Sequence, residues 1–291
     1  MSHLPRKILL ATDGSEDARL AARAAASLAD NAGAELHVVL AWQSVSHPVI
    51  DADYYEEGAR RILEEQVEFV ASVGAAVSEG HLVMGPPVDV ILDLAEEMDA
   101  ELVMMGSRGH GTLGRLLLGS VSEGVVHHAT RPVLLMRGGE GAWPPQRVVI
   151  GEDGSNAAKG AGEMAASIGA LYGARGILVR AYPELPEADQ VGRTLDPRVV
   201  DDALRRAERE LHERAKELRS FSGATLKKSI AAGDPAAAVL AVARGVVAAA
   251  TLIAAGSRGL GPVRRLRLGS VSTKVLRAAE GPVLVYPHTT V

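Results

Sequence analysis

A chain of 291 residues with 47% apolar side chains has material for two ordinary cores, and its lack of cysteine excludes disulfides, thiolate metal sites and thiol chemistry. Its net charge of -5 is the wrong sign for a protein whose main task is gripping a nucleic-acid backbone. No apolar run reaches membrane-spanning length and Met1 to Arg6 carries no signal-peptide hydrophobic stretch, so a soluble cytoplasmic protein without a membrane role is expected.

Lys7 to Thr12 reads as a short apolar strand ending in Asp13-Gly14-Ser15, and Glu16 to Asn31 carries alanines and leucines at helical spacing. An aspartate at the carboxyl end of a first parallel strand stands where open α/β sheets place their ligands. Capping of the next helix by Asp13 or Ser15 is compatible with that role. Glu35 to Trp42 is a second strand, and Asp53 to Val73 a long amphipathic helix with Glu64, Glu65 and Glu68 on its solvated side. His81 to Met84 is a third strand running into Gly85-Pro86-Pro87, a strand-to-helix turn, and a helix over Val88 to Asp99. The apolar run Glu101 to Met105 then ends on Gly106-Ser107-Arg108-Gly109. Nine residues later come Gly119-Ser120-Val121-Ser122, which open an amphipathic segment, Val121 to Ala129. Val133 to Met136, after a proline, is a fifth strand.

The run Gly138-Gly139-Glu140-Gly141-Ala142-Trp143-Pro144-Pro145 reads as a linker, flexible at its start and stiff at its end. A boundary near residue 141 divides the chain into units of 1–140 and 146–291.

The second unit repeats the first. Arg147 to Ser155 mirrors the first strand and its turn, with Gly151, Glu152 and Asp153 in the places of Ala11, Thr12 and Asp13. Arg175 to Tyr182 mirrors the second strand, about Asp196 to Ser220 the long helix, and Lys228 to Ala231 the third strand before Gly233-Asp234-Pro235. Ala236 to Ala248, Thr251 to Ala255, Val271 to Ala279 and Val283 to Tyr286 complete it. The offset is 140 residues at the aspartates, 148 at the Gly-x-Pro turns and 150 at the glycine loops. About eight extra residues are therefore assigned to the loop Tyr182 to Pro197. Strand and helix alternate five times in each half, which favours a parallel sheet with helices on both faces.

The glycine-serine pattern is itself duplicated: Gly256-Ser257-Arg258-Gly259, nine residues, then Gly269-Ser270-Val271-Ser272. Glycine is required where backbone takes positive φ or lies against a ligand without a Cβ in the way. The unpaired N–H groups of a helix's first turn suit an anion. Ser120 and Ser122, with Ser270 and Ser272, would add hydroxyl donors there, which makes each loop a phosphate cradle. The plainer reading makes Ser120 and Ser270 only helix caps.

Other motifs carry less. Gly109 to Gly114 fits G-x-G-x-x-G, but it follows the fourth strand rather than the first and its twin loses the last glycine. There is no G-x4-G-K-[ST] for efficient phosphoryl transfer. His127 and His128 are adjacent on a helix and point apart, so no metal site is expected from them. The basic cluster Arg258, Arg264, Arg265, Arg267, Lys274 and Arg277 reads as a phosphate-facing or solvated surface. No repeated nucleophile and base, and no repeated carboxylate pair, marks a catalytic site.

The spacing G-x2-G-x9-G-[ST], met by Gly106, Gly109, Gly119 and Ser120 and again by Gly256, Gly259, Gly269 and Ser270, resembles the signature of the universal stress protein family. The first-strand aspartate and the Gly-x-Pro turn match too, so the resemblance covers nearly the whole chain and points to the tandem two-domain members of the ATP-binding subgroup. It implies two Rossmann-like domains of the adenine nucleotide alpha hydrolase-like kind, each a five-stranded sheet of order 3-2-1-4-5, with ATP at the switch point. By position, Ala11, Thr12 and Asp13 would line the adenosine end and Ala41 would offer backbone to the adenine. Met105, Gly106, Arg108 and Gly109 would border the ribose and phosphates, and Gly119, Ser120, Val121 and Ser122 would take the phosphates. Gly151, Asp153, Ala181, Gly256, Arg258, Gly259, Gly269, Ser270, Val271 and Ser272 hold those places in the second half.

The resemblance also implies fifth strands that pair the halves into an internal pseudo-dimer, a homodimer of tandem chains, and Mg²⁺ as companion to ATP. One departure stands out: Glu152 replaces Thr12, and a carboxylate pointing inward would weaken the second site. Function then reads first as an ATP-binding stress regulator, non-enzymatic or slowly hydrolysing, with a protein partner not named by the sequence. A nucleotide-free interaction module of the same fold and a nucleotide-dependent enzyme remain the alternatives.

Overall fold

The computed structural model describes residues 3–44, 52–109, 118–182, 197–223, 226–245, 250–259 and 268–288. The first half runs β1 (Lys7–Ala11), α1 (Glu16–Ala32), β2 (Glu35–Trp42), α2 (Ala52–Ser72), β3 (Glu79–Met84), α3 (Pro87–Glu97), β4 (Leu102–Gly106), α4 (Ser120–His128) and β5 (Val133–Met136). A 3-10 turn at Glu140–Ala142 and a cis Trp143–Pro144 peptide lead to the second half. This comprises β6 (Arg147–Gly151), α5 (Asn156–Leu171), β7 (Arg175–Tyr182), α6 (Pro197–Ser222), β8 (Leu226–Ala232), α7 (Pro235–Arg244), β9 (Thr251–Gly256), α8 (Ser270–Ala278) and β10 (Val283–Tyr286).

Within each half the strands are parallel, in the orders β3-β2-β1-β4-β5 and β8-β7-β6-β9-β10. The halves are not separate sheets. β5 and β10 pair antiparallel, Val133 with Val285 and Leu135 with Val283, making one ten-stranded sheet with an internal pseudo-dimer at its centre.

Parallel strands covered on both faces must be apolar on both faces, and Ile8, Leu9 and Leu10 are all fully buried. Side-chain alternation then splits the core in two. Ile8, Leu10, Leu36 and Val38 share one layer with the alanines of α1, and Leu9, Val39, Val103 and Met105 share the other with Val90, Ile91 and Val125. The layers continue through β5 and β10 into the second half.

Some boundaries moved. β3 begins at Glu79, two residues before the apolar run, because Glu79 and Gly80 pair with His37 and Val38 on β2. α7 ends at Arg244, short of the expected Ala248, and residues 246–249 lie outside the described residues. Most of the loop Tyr182 to Pro197 also lies outside them. Part of the extra length assigned to it sits in the helix instead, since α6 has 26 residues against 21 in α2.

In each half the chain leaves the first strand toward one sheet edge and later crosses back to its other side. The carboxyl ends of β1 and β4, and of β6 and β9, therefore diverge at a switch point, where such sheets form a crevice.

Candidate functional site

Each crevice is a cavity, of about 440 Å³ in the first half and about 470 Å³ in the second, within the usual span for small-molecule sites. The turn after β1 is self-supporting. Thr12 Oγ1 accepts from the Gly14 N–H at 3.2 Å, Asp13 Oδ1 accepts from the Ser15 N–H at 3.0 Å, and Gly14 has φ 79°. Ser15 caps α1 by accepting from the Ala18 N–H at 3.2 Å and donates to the Arg108 carbonyl at 3.3 Å, joining this turn to the glycine loop.

The loop glycines answer to close approach. A Cβ on Gly106 would lie 2.6 Å from the backbone carbon of Asp17, and one on Gly109 2.3 Å from Asp13 Oδ2. The backbone at 109 thus forms a wall against the Asp13 carboxylate.

The residue at the N-cap of α4 is Gly119, extended at φ -69° and ψ 150°, with no side-chain capping bond, and α8 starts the same way on Gly269. Ser120 and Ser270 are the first helical residues, so the reading that makes them caps is ruled out. Both helices begin with first-turn residues that line the cavity and that no side chain caps, at the positive end of the helix dipole. Ser122 and Ser272 are corrected in the other direction. Ser122 Oγ donates to the Gly106 carbonyl at 2.9 Å and Ser272 Oγ to Gly256 at 2.6 Å, so these hydroxyls tie the helix to the strand end instead of donating into the cavity.

Arg108 is similarly committed. Its Nε and Nη2 each reach an Asp17 oxygen at 3.0 Å, Ser107 Oγ donates to the same carboxylate at 2.9 Å, and this pairing holds the guanidinium above its ordinary pKa. In the second half Ala157 takes the place of Asp17, against the backbone of Gly256, so Arg258 meets no carboxylate from that position.

The departure at Glu152 resolves differently from the inward-pointing case. Glu152 Oε1 accepts from the Gly154 N–H at 2.8 Å, reproducing the bond made by Thr12, while Oε2 accepts from Arg214 Nε at 3.3 Å. Arg214 on α6 is buried, and also meets Glu163 at 3.4 Å, Glu217 at 2.8 Å and the Lys159 carbonyl. Burial pushes the Glu152 carboxyl above the usual carboxylate range, against the lowering influence of the Gly154 N–H and the Arg214 cation. In the first half Gln66 stands where Arg214 does, at the 148-residue offset of the Gly-x-Pro turns, and is buried. The halves thus carry a neutral Thr12 and Gln66 on one side and an ionic Glu152 and Arg214 on the other.

The first cavity gathers Ala11, Thr12, Asp13, Ala41, Met105, Gly106, Arg108, Gly109, Gly119, Ser120, Val121 and Ser122. The second gathers Gly151, Asp153, Ala181, Gly256, Arg258, Gly259, Gly269, Ser270, Val271 and Ser272. Sequence reasoning missed an apolar slot: Val39, Pro87 and Ile91 beside Ala41 and Met105, and Val179, Pro235 and Val239 beside Ala181. Their signal was the Gly-x-Pro turn, which sets the first turn of α3 and α7 over the second strand. His110, the remainder of the G-x-G-x-x-G run, Arg264, Arg265 and Arg267 lie outside the described residues. Lys274 pairs with Asp234 and Arg277 with Glu123, which fits a solvated surface. Among the described residues no helix is long and apolar enough to cross a membrane.

The fold and its crevices define a class: a tandem doubly wound α/β protein with an uncapped helix start at each of two switch points. Comparison with known proteins narrows it. The profile of the Universal stress protein family matches residues 5–137 and again 145–287, and the chain belongs to that family as a tandem two-domain member. A universal stress protein of Mycobacterium bovis is 31% identical over 262 residues, covering 86% of this chain and 85% of that one. One of Thermus aquaticus is 40% identical over 136 residues, 45% of this chain and 98% of its own. The crystal structure of a universal stress protein from Archaeoglobus fulgidus superposes with a TM-score of 0.69 at 26% identity, over 98% of this chain and 99% of the other.

Proposed function

We propose that each half binds an adenine nucleotide, ATP with Mg²⁺, and that the protein is a cytoplasmic stress regulator that is non-enzymatic or hydrolyses ATP slowly. The observation that carries the reading is the uncapped start of α4 and α8, each opening into a cavity. A polyanion satisfies N–H groups that no side chain caps, in the field of the helix dipole. The rest of each cavity fits the remainder of the ligand. Asp13 and Asp153 stand at the strand ends as acceptors for a ribose hydroxyl, and the slots at Ala41 and Ala181 suit a flat base. Bound ATP would supply the charge whose presence alters how the glycine loops and helix starts are held.

On this reading residues 1–140 and 146–291 are the two nucleotide units. The first is the tighter, because a neutral Thr12 stands where the second half carries the Glu152 carboxylate, while Arg214 keeps the second usable by pairing Glu152. A homodimer of tandem chains and a separate protein partner belong to the same proposal and are checked by sedimentation with and without nucleotide.

Thermal unfolding with Mg-ATP tests binding. Saturation a hundredfold above Kd should add ~2.7 kcal/mol, with a smaller rise for AMP. An unchanged midpoint at every nucleotide concentration favours the interaction module without nucleotide, and rapid turnover favours the enzyme.

A further inference from the structure

At the end of the first half's sheet remote from the cavity, β2 and β3 bring together residues distant in sequence. His37 lies in register with Glu79, and Val39 with His81, so alternation places Glu35, His37, Glu79 and His81 on one sheet face. His37 Nδ1 and His81 Nε2 are 3.2 Å apart, and His81 Nε2 is 3.9 Å from Glu79 Oε2. One ligand atom from each of His37, Glu79 and His81 lies within 4.8 Å of the others. The His37 ring is 12% exposed, and its Nε2, buried and without a hydrogen-bond partner, points toward Glu35 Oε2 at 3.7 Å. Lys7 holds Glu35 from the neighbouring strand at 3.6 Å.

We propose that His37, His81 and Glu79 form a binding site for a zinc-class divalent cation. In a tetrahedral zinc site with metal–nitrogen bonds of about 2.0–2.1 Å, the edge between two nitrogen ligands is about 3.3 Å, close to the separation of Nδ1 and Nε2 here. Glu79 is exposed at the edge strand, so rotation of its side chain brings the carboxylate to the third corner, and water takes the fourth. Two imidazoles and a carboxylate are a donor set suited to zinc and its neighbours. Glu35 then has a defined role: it accepts from His37 Nε2–H and fixes the ring with Nδ1 toward the metal, the carboxylate-histidine-metal relay common in such centres. The cation would clamp edge strand β3 to β2, and the site owes nothing to nucleotide binding. The competing account is a plain hydrogen bond between the imidazoles, in which Glu79 has no part.

The test uses the full chain without an affinity tag, stripped with chelator, titrated with Zn²⁺ against a chromophoric indicator and with Co²⁺ for its visible bands. One tight equivalent per chain with the intense spectrum of tetrahedral cobalt is expected. Glu79→Gln, which removes a ligand, should weaken it by no less than the about tenfold that loss of an outer-shell partner costs, His81→Asn should abolish it, and His127→Asn with His128→Asn should leave it intact. Circular dichroism confirms folding, and Glu79→Gln, on an exposed carboxylate, gives the answer should His81→Asn unfold. Equal affinity in the protein and Glu79→Gln, loss of the tight equivalent in the His127/His128 variant, or no tight equivalent at all, overturns the proposal.

Discussion

Replacing Arg214 by Gln isolates the ionic pairing that distinguishes the second half. The guanidinium is 9% exposed and makes bonds to Glu152, Glu163, Glu217 and the Lys159 carbonyl, while the Glu152 side chain is 5% exposed. Removing one member of a buried pair leaves the other charge uncompensated, which costs about 3–5 kcal/mol. The Glu217 bond reaches an exposed partner and accounts for at most ~1 kcal/mol of that. Adding Glu152→Thr re-creates the first half's Thr12 and Gln66, and Thr can again accept from the Gly154 N–H. The double variant should therefore recover at least ~1 kcal/mol relative to the sum of the single changes, read as urea midpoints at constant slope.

The pH profile gives a second readout. Folded Glu152 holds its proton more tightly than the unfolded chain, so its contribution to stability falls as pH rises from the ordinary 4.5 through its raised value. The double variant loses that dependence, and its stability relative to the parent should improve across the same window. Strict additivity of the single changes, with no difference in pH profile, refutes the reasoning.

Gly109→Ala puts a Cβ 2.3 Å from Asp13 Oδ2 and should displace that carboxylate, weakening ATP at the first site with little change in melting; titration of this variant against Gly259→Ala reports each half separately. Ser122→Ala removes a buried bond to the Gly106 carbonyl and should lower stability by about 1 kcal/mol. Ser120→Ala should leave stability within about 0.5 kcal/mol while weakening nucleotide, and reversal of these two outcomes contradicts the assignment of cap and tie. Gly106→Ala forces a Cβ to 2.6 Å from α1 backbone and should destabilise by about 1–3 kcal/mol in chemical denaturation.

The strands and the glycine loops were legible because the chain states them twice, and a repeat separates constrained positions from incidental ones; the strand order came only from the family resemblance. What escaped depended on register between distant segments. Arg214 lies 62 residues from Glu152, on a helix whose offset from its twin differs from the 140 residues of the first two strands, so the Gln66 and Arg214 correspondence was hidden. His37 and His81 are 44 residues apart and meet only through the pairing of β2 with β3. Val39 and Ile91 pack in the core, and Pro87 was read only as part of a strand-to-helix turn, yet the same side chains wall the slot. The serine pattern flagged the helix start correctly, but could not show that Gly119 is the cap or that Ser122 turns back to Gly106.

The most direct test of the central claim is equilibrium dialysis of the intact chain against labelled ATP and Mg²⁺, with bound nucleotide counted per chain at saturation. Binding approaching one nucleotide per cavity, reduced to a single equivalent in Gly109→Ala, is the result expected. No bound nucleotide at any concentration, with the protein folded throughout, would contradict the account.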